Sequence, residues 1–245
     1  MASGIKLTLP ATCAWDEGWA TLLALVVNGD PCFDWGSGPC GGGPSENLET
    51  PTWGDGRPQG DEVEGRVTGA LWDIYDNAND GFDQYSDGFE EIWDTLNYET
   101  YDRFFWFWLG WKDRGHNKHD AVRAIYQNTI DYDAPPTISG LPDRRLPMNF
   151  SWNNAIDLWF YASDAESADW QLSYTIVGNT DPNCGVSIDS LGYVDINPAH
   201  DWLGSSEVTI QVSDGLKTGT DTFMVETYFW VPTDFVYLPI IVKNH

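Results

Sequence analysis

Apolar positions crowd one early stretch of the chain and then thin out into stripes. From Trp19 to Val27 the residues are Trp-Ala-Thr-Leu-Leu-Ala-Leu-Val-Val. A helix that is apolar nearly all round is a buried one, so a buried helix is predicted over residues 12–28. Thr12 is its candidate N-cap, and Gly29 followed by Pro31 is the stop signal. Before it, Ile5, Leu7 and Leu9 alternate ahead of Pro10 and read as a short strand or arm. Residues 29–60, rich in Gly and Pro, read as a long loop, and loops of that length are often functional.

Four more helices follow. Val63, Val67, Leu71 and Ile74 form one stripe over residues 62–76. Asp87 and Glu90 make a capping box for a third helix with Phe89, Ile92, Trp93 and Leu96 inward. Thr100 can cap a fourth over residues 101–111, and its Phe104–Leu109 run is expected to be deeply packed. Gly115 closes it. A fifth, over residues 118–130, carries Val122, Ile125, Tyr126 and Ile130 on one face. The period changes after Pro135-Pro136. Pairs and triplets at a spacing of two now dominate: Ile156/Leu158/Phe160, Leu172/Tyr174/Ile176, Val186/Ile188, Val194/Ile196, Val208/Ile210/Val212 and Phe223/Val225. Six or seven short strands separated by turn signals predict an antiparallel β-sandwich. The fold class is therefore two-domain α+β: a helical domain over residues 1–131, a sandwich over 134–229, and a tail over 230–245.

Charge narrows the function. With 12 basic and 38 acidic residues the net charge is −26. Nucleic acid is excluded as a partner, because that binding runs on Lys and Arg against phosphate. Anionic membrane surfaces are disfavoured for the same reason. Fourteen tryptophans argue against disorder. Asp clusters in Gly/Asn-rich loops, which favours calcium-type oxygen ligation. Cys32 and Cys40 bracket a Gly/Pro-rich loop and are the candidate disulfide; the pairing of Cys13 and Cys184 stays open. Residues 1–7 lack signal-peptide architecture, and no apolar run is long enough to span a bilayer.

Several residues could carry chemistry. Asp16 and Glu17 sit between Trp15 and Trp19. Glu64 lies beside Gly65 and Gly69, where a neighbouring backbone can approach, and reads equally as a solvated helix residue. In the loop from Asp76 to Asp87, Asp76, Asp80 and Asp87 occupy EF-hand-like positions around Gly81. Ala78 stands where a ligand is required, which favours a polar connecting turn over a calcium loop. His116 and His119 have one-turn metal spacing but lack a placed carboxylate, and are expected to be exposed.

Two resemblances sharpen this. Pro136–Pro142, Tyr161–Glu166, Leu172–Ile176, Gly192–Ile196 and Val212–Gly215 resemble the cadherin-like, dystroglycan-type Ig-like modules of secreted bacterial proteins. That resemblance implies a calcium site from Asp164, Glu166 and the linker residue Asp133. Ala14-Trp15-Asp16-Glu17-Gly18-Trp19-Ala20, with Glu64, Val67 and Leu71–Tyr75, resembles the C-terminal part of a gluzincin-type zinc metallopeptidase. There Glu17 matches the third zinc ligand. A His-Glu-x-x-His motif is missing: the four histidines are His116, His119, His200 and His245. The resemblance therefore implies the C-terminal portion of a secreted, extracellular zinc metallopeptidase whose histidine ligands lie upstream of Met1. It would act on protein or peptide, hold zinc only within a longer chain, and be inactive alone. The alternative is a non-catalytic, calcium-stabilised extracellular binding or adhesion protein. A structural two-domain protein whose acidity serves solubility is a third.

Overall fold

The computed structural model describes residues 5, 7–34, 45–49, 58–86 and 88–230. The chain divides into two compact units, Met1–Ala134 with Ala165–Ala168, and Pro135–Asp164 with Asp169–His245.

The first unit is built on α1 (Ala11–Asn28), α2 (Glu64–Tyr75), α3 (Phe89–Tyr98), α4 (Phe104–Asp113) and α5 (Lys118–Gln127). Helix α1 starts one residue before Thr12. Pro10 holds the N-cap position, and no side chain caps it. Its buried residues Ala14, Trp15, Gly18, Thr21, Leu22 and Leu25 form one stripe, whereas Leu23 and Val27 face solvent. The expectation of burial all round thus fails, because one neighbouring layer covers only one side of a cylinder. Gly29, at φ +64°, ends α1 in the left-handed conformation, with its N–H turned back to Leu25 and Val26.

The 29–60 stretch is not loop throughout. It contains a two-stranded antiparallel ribbon, β1 (Cys32–Asp34) and β2 (Ser45–Asn47). Cys32 is disulfide-bonded; Cys40, its expected partner, lies outside the described residues. Cys13 and Cys184 are free thiols. Helix α3 begins after Gly88 without a side-chain cap, and Asp87 of the expected capping box also lies outside the described residues. Helix α4 begins later than expected, with Arg103 rather than Thr100 at its N-cap. Its Phe104, Phe107, Trp108 and Trp111 are buried, while Phe105 and Trp106 are exposed. A helix turns 100° per residue, so a continuous aromatic run cannot be packed on every side. The buried rings meet Trp15 of α1, at centroid distances of 5.9 Å to Phe104 and 5.4 Å to Phe107. Asn117 caps α5 by accepting the Asp120 N–H.

The second unit pairs its strands in three sheets. Its strands are β3 (Thr137–Ile138), β4 (Arg144–Pro147), β5 (Trp152–Asp157), β6 (Ala162–Ser163), β7 (Ser173–Asn179), β8 (Val186–Ile188), β9 (Tyr193–Ile196), β10 (Ser205–Ser213) and β11 (Thr218–Tyr228). The four-stranded sheet runs β4-β11-β10-β7, the three-stranded sheet β5-β9-β8, and β3 pairs with β6. All pairs are antiparallel except β4 with β11. Inward positions alternate, as in Val208, Ile210 and Val212 of β10, and meet Ile156, Val194 and Ile196 of the other sheet in one aliphatic core. The expected Ile156/Leu158/Phe160 strand stops at Asp157. Residues Leu158–Phe160 form a 3-10 turn capped by Asp157, which buries Leu158 and leaves Phe160 exposed. Apart from Trp230, the tail lies outside the described residues. No described helix is long and apolar enough to cross a membrane.

Candidate functional site

Glu17 stands on the exposed side of α1, at the point where α1 and α2 cross closely. Gly18 makes that approach possible. A Cβ there would sit 2.8 Å from Val67 Cγ1 and 3.2 Å from the Glu64 carbonyl oxygen. Thr68 Oγ1 ties the crossing, 3.1 Å from Gly18 O and 3.0 Å from Glu64 O. One helical turn past Glu17, Thr21 donates its hydroxyl to Glu64 Oε1 at 3.1 Å. Glu64 is only 8% exposed. Burial pushes its carboxyl pKa up, the charge of Glu17 pushes it the same way, and the Thr21 hydroxyl opposes them. An exposed carboxylate is thus held near a buried one, and the buried one is pushed toward its protonated form. Asp16 is exposed on the same turn.

The other candidates are used differently. Asp80 accepts the side-chain N–H of Gln127, and Gln127 Oε1 accepts the N–H groups of Phe82 and Asp83 at 2.6 and 3.1 Å. The EF-hand-like loop is therefore closed by an amide from α5. Gly81 has φ +49°, and a Cβ there would lie 2.4 Å from that oxygen, so a larger residue would be strained and would displace the Gln127 amide. Of the three EF-hand-like positions, Asp87 lies outside the described residues. His116 faces Glu91 at 3.5 Å and Asp94 at 3.2 Å, and His119 Nδ1 lies 2.8 Å from Ser167 Oγ. Both rings are mostly covered rather than exposed, and they have different partners.

Of the calcium candidates, the linker residue Asp133 and Glu166 belong to the first unit and Asp164 to the second. Glu166 is buried and accepts from Lys112 Nζ and from the Ala134 N–H, both at 3.3 Å. Among the described residues, no three His, Cys, Asp or Glu side chains stand together as a metal-binding group. Glu17 and Glu64 alone do not make a catalytic zinc site, which takes three protein ligands and an open position.

A second acidic region escaped the sequence reading. Glu49 accepts the Trp72 indole N–H at 2.6 Å. Burial, together with Asp76 and Asp80, pushes its carboxyl up to about 8. Asp83 is pushed up to about 7, by burial and then by Asp76, Asp80 and Asp120. Asp73, 1% exposed, is raised well above the ordinary range by burial and by Asp83, Glu49 and Asp76, although Asn128 Nδ2 donates to it at 2.7 Å. Loops separate these residues in sequence, so no local spacing announces them; only the acidic bias of the region was visible.

These features define a carboxylate-bearing helical domain joined to a β-sandwich. Residues 4–129, just over half of the chain, match the family model of the mycolysin C-terminal domain, a metallopeptidase-associated domain. The chain belongs to that family. No match was found among curated proteins. Solved structures similar to the chain include protocadherin gamma B2 extracellular cadherin domains 3–6, at 17% identity over 41% of this chain and 28% of that one, with a TM-score of 0.33. Human protocadherin-24 EC1-2 matches at 23% identity over 39% and 44%, with a TM-score of 0.30. An endo-fucoidan hydrolase of glycoside hydrolase family 107 matches at 16% over 42% and 16%, with a TM-score of 0.31. The chain spans less than half the length of each of these proteins.

Proposed function

We propose that this chain contributes the third zinc ligand, Glu17, to a secreted zinc metallopeptidase acting on protein or peptide. Its two histidine ligands and general base would lie outside these 245 residues. The observation that carries the reading is the exposed Glu17 carboxylate beside the buried Glu64, on the helix crossing of a mycolysin-type domain. An exposed ligand can be reached by a metal held from another segment, and the buried Glu64, tied to Thr21, backs the turn that carries it. Zinc in such a site polarises a carbonyl and lowers the pKa of bound water. The role of this chain is to hold one oxygen donor in place, through Gly18, Thr68 and Thr21.

The test is to express this chain in frame with the sequence encoded upstream of it and to measure bound zinc and peptide hydrolysis. One zinc per chain is expected. Glu17→Gln should lower zinc affinity by well over about tenfold and reduce hydrolysis with it. Equal zinc content and rate in the two proteins would overturn the assignment.

A further inference from the structure

A pocket of about 450 Å³ lies along α4, away from the Glu17–Glu64 pair. Tyr98, Tyr101 and Trp106 line it, together with the carboxylates Glu99, Asp102 and Asp113. Asp102, Trp106 and Asp113 recur at helical spacing, so one side of α4 and the turn before it build the pocket. Of the pocket's aromatic residues, Trp106 and Tyr98 are exposed, at 47% and 68%.

Tyr101 is the anchored member. Its carbonyl accepts the Trp15 indole N–H at 2.8 Å, and its ring stands edge-on to Phe107 at 6.2 Å. The residue is 8% exposed, and its hydroxyl has no hydrogen-bond partner among the described residues. Gly110, also in the lining, leaves room for that hydroxyl: a Cβ there would stand 2.0 Å from it. Burial raises the Tyr101 pKa, and the charges of Glu99 and Asp113 raise it further, against Arg114. The phenol is thus a neutral group beneath a cluster of negative charge.

Aromatic faces with carboxylates around them are the chemistry that takes an organic cation. The neighbourhood already shows it. The Arg114 guanidinium lies 4.8 Å from the Tyr98 ring centroid and pairs with Asp94. Arg103 pairs with Asp102 at 3.2 Å, but both side chains are about half exposed, and such a surface pair is readily exchanged for another. Among the described residues, no ion pair or cation-π contact involves Trp106, Glu99 or Asp113.

We propose that this pocket binds an arginine side chain of a polypeptide partner, with Trp106 against the guanidinium plane and Glu99 and Asp113 accepting its N–H groups. Arginine suits the pocket better than lysine, because a planar guanidinium stacks on a ring and pairs with carboxylates at once. The inference does not rest on the zinc reading.

The experiment titrates acetyl-Gly-Arg-Gly-amide into the full 245-residue chain, with ligand-observed NMR as the readout. Saturable binding is expected, absent for the same peptide with glutamine in place of arginine. Trp106→Ala and the Glu99→Gln/Asp113→Asn pair should each weaken it by about fivefold or more. Glu62→Gln, an exposed acid outside the pocket, should leave it unchanged. Circular dichroism checks the folding of each variant. Should Trp106→Ala unfold, the isosteric surface pair still decides. No saturable binding, equal binding by wild type and pocket variants, or an equal loss with Glu62→Gln would each overturn the proposal; the last would mean attraction to the overall charge alone.

Discussion

The two units put the same acidic side chains to opposite uses. In the sandwich, carboxylates close turns. Asp181 accepts the Trp202 indole N–H at 2.8 Å and the Asn183 backbone N–H at 3.0 Å, and these bonds hold its pKa below the ordinary value. Asp214 accepts the N–H groups of Leu216 and Lys217 at 2.6 and 2.7 Å. In the helical unit, Glu64, Asp73 and Asp83 are buried and Glu49 half-buried near other carboxylates, and all are raised. The N–H groups that Asp181 accepts favour its anion. A carboxylate forced beside another gains from a proton or a cation. The helical unit is therefore where carboxyl groups are held nearer to protonation.

The contrast can be broken in order of expected effect. Trp111→Ala removes a fully buried ring from the aromatic core and should cost about 3–5 kcal/mol, against about 1 kcal/mol for Ile210→Val in the sandwich. Denaturant unfolding followed by fluorescence and circular dichroism reads both, and similar losses would show that the aromatic core is loosely packed. Gly18→Val should overpack the α1–α2 crossing and cost about 1–3 kcal/mol. It should also shift Glu17, so under the proposed zinc role the zinc affinity of the chain expressed with its upstream sequence should fall more than stability alone explains.

The third prediction concerns pH. Glu49 and Asp83 have folded values of about 8 and about 7, against ordinary values of 4.5 and 3.8. The folded state binds more protons between those limits, so this stabilisation is present below about pH 4 and is lost as pH rises to about 8. Thermal melting of the helical unit should fall by a few °C from pH 5 to pH 8, and Glu49→Gln with Asp83→Asn should flatten the slope. A melting temperature that rises over this range would contradict the clustering. The smallest effect has the opposite sign. The Asp181 carboxyl is lowered and only partly buried, so its contribution is present at neutral pH and lost only on acidification. Asp181→Asn should leave the melting temperature at pH 7 within about a degree or two, because solvent screens the group.

Local pattern carried much of the fold. The stripe Val63, Val67, Leu71 and Ile74 placed α2, and the alternation of Val208, Ile210 and Val212 placed β10. Both follow from geometry within one element. The errors came where packing from outside decides. The Phe104–Leu109 run does not say which rings face inward, and the parallel pairing of β4 with β11 joins Arg144 to Val225 across 81 residues. Within the candidate site, Glu17 was legible through its motif and family resemblance. Glu49, Asp73 and Asp83 were not, since their coupling depends on which loops meet.

The sequence by itself determined the two-part architecture and the strongly acidic character, and it put Glu17 forward as a candidate between Trp15 and Trp19. Those follow from periodicity, composition and a short motif, all readable along the chain. Only the tertiary structure decided that Glu17 has Glu64 beside it. The Thr21–Glu64 bond spans 43 positions, and it forms because glycine at position 18 lets two helices approach. It also decided that Trp106 stays in solvent next to Glu99 and Asp113. Side-chain charge is written residue by residue, but its energy depends on distance and burial, which exist only once the helices have packed.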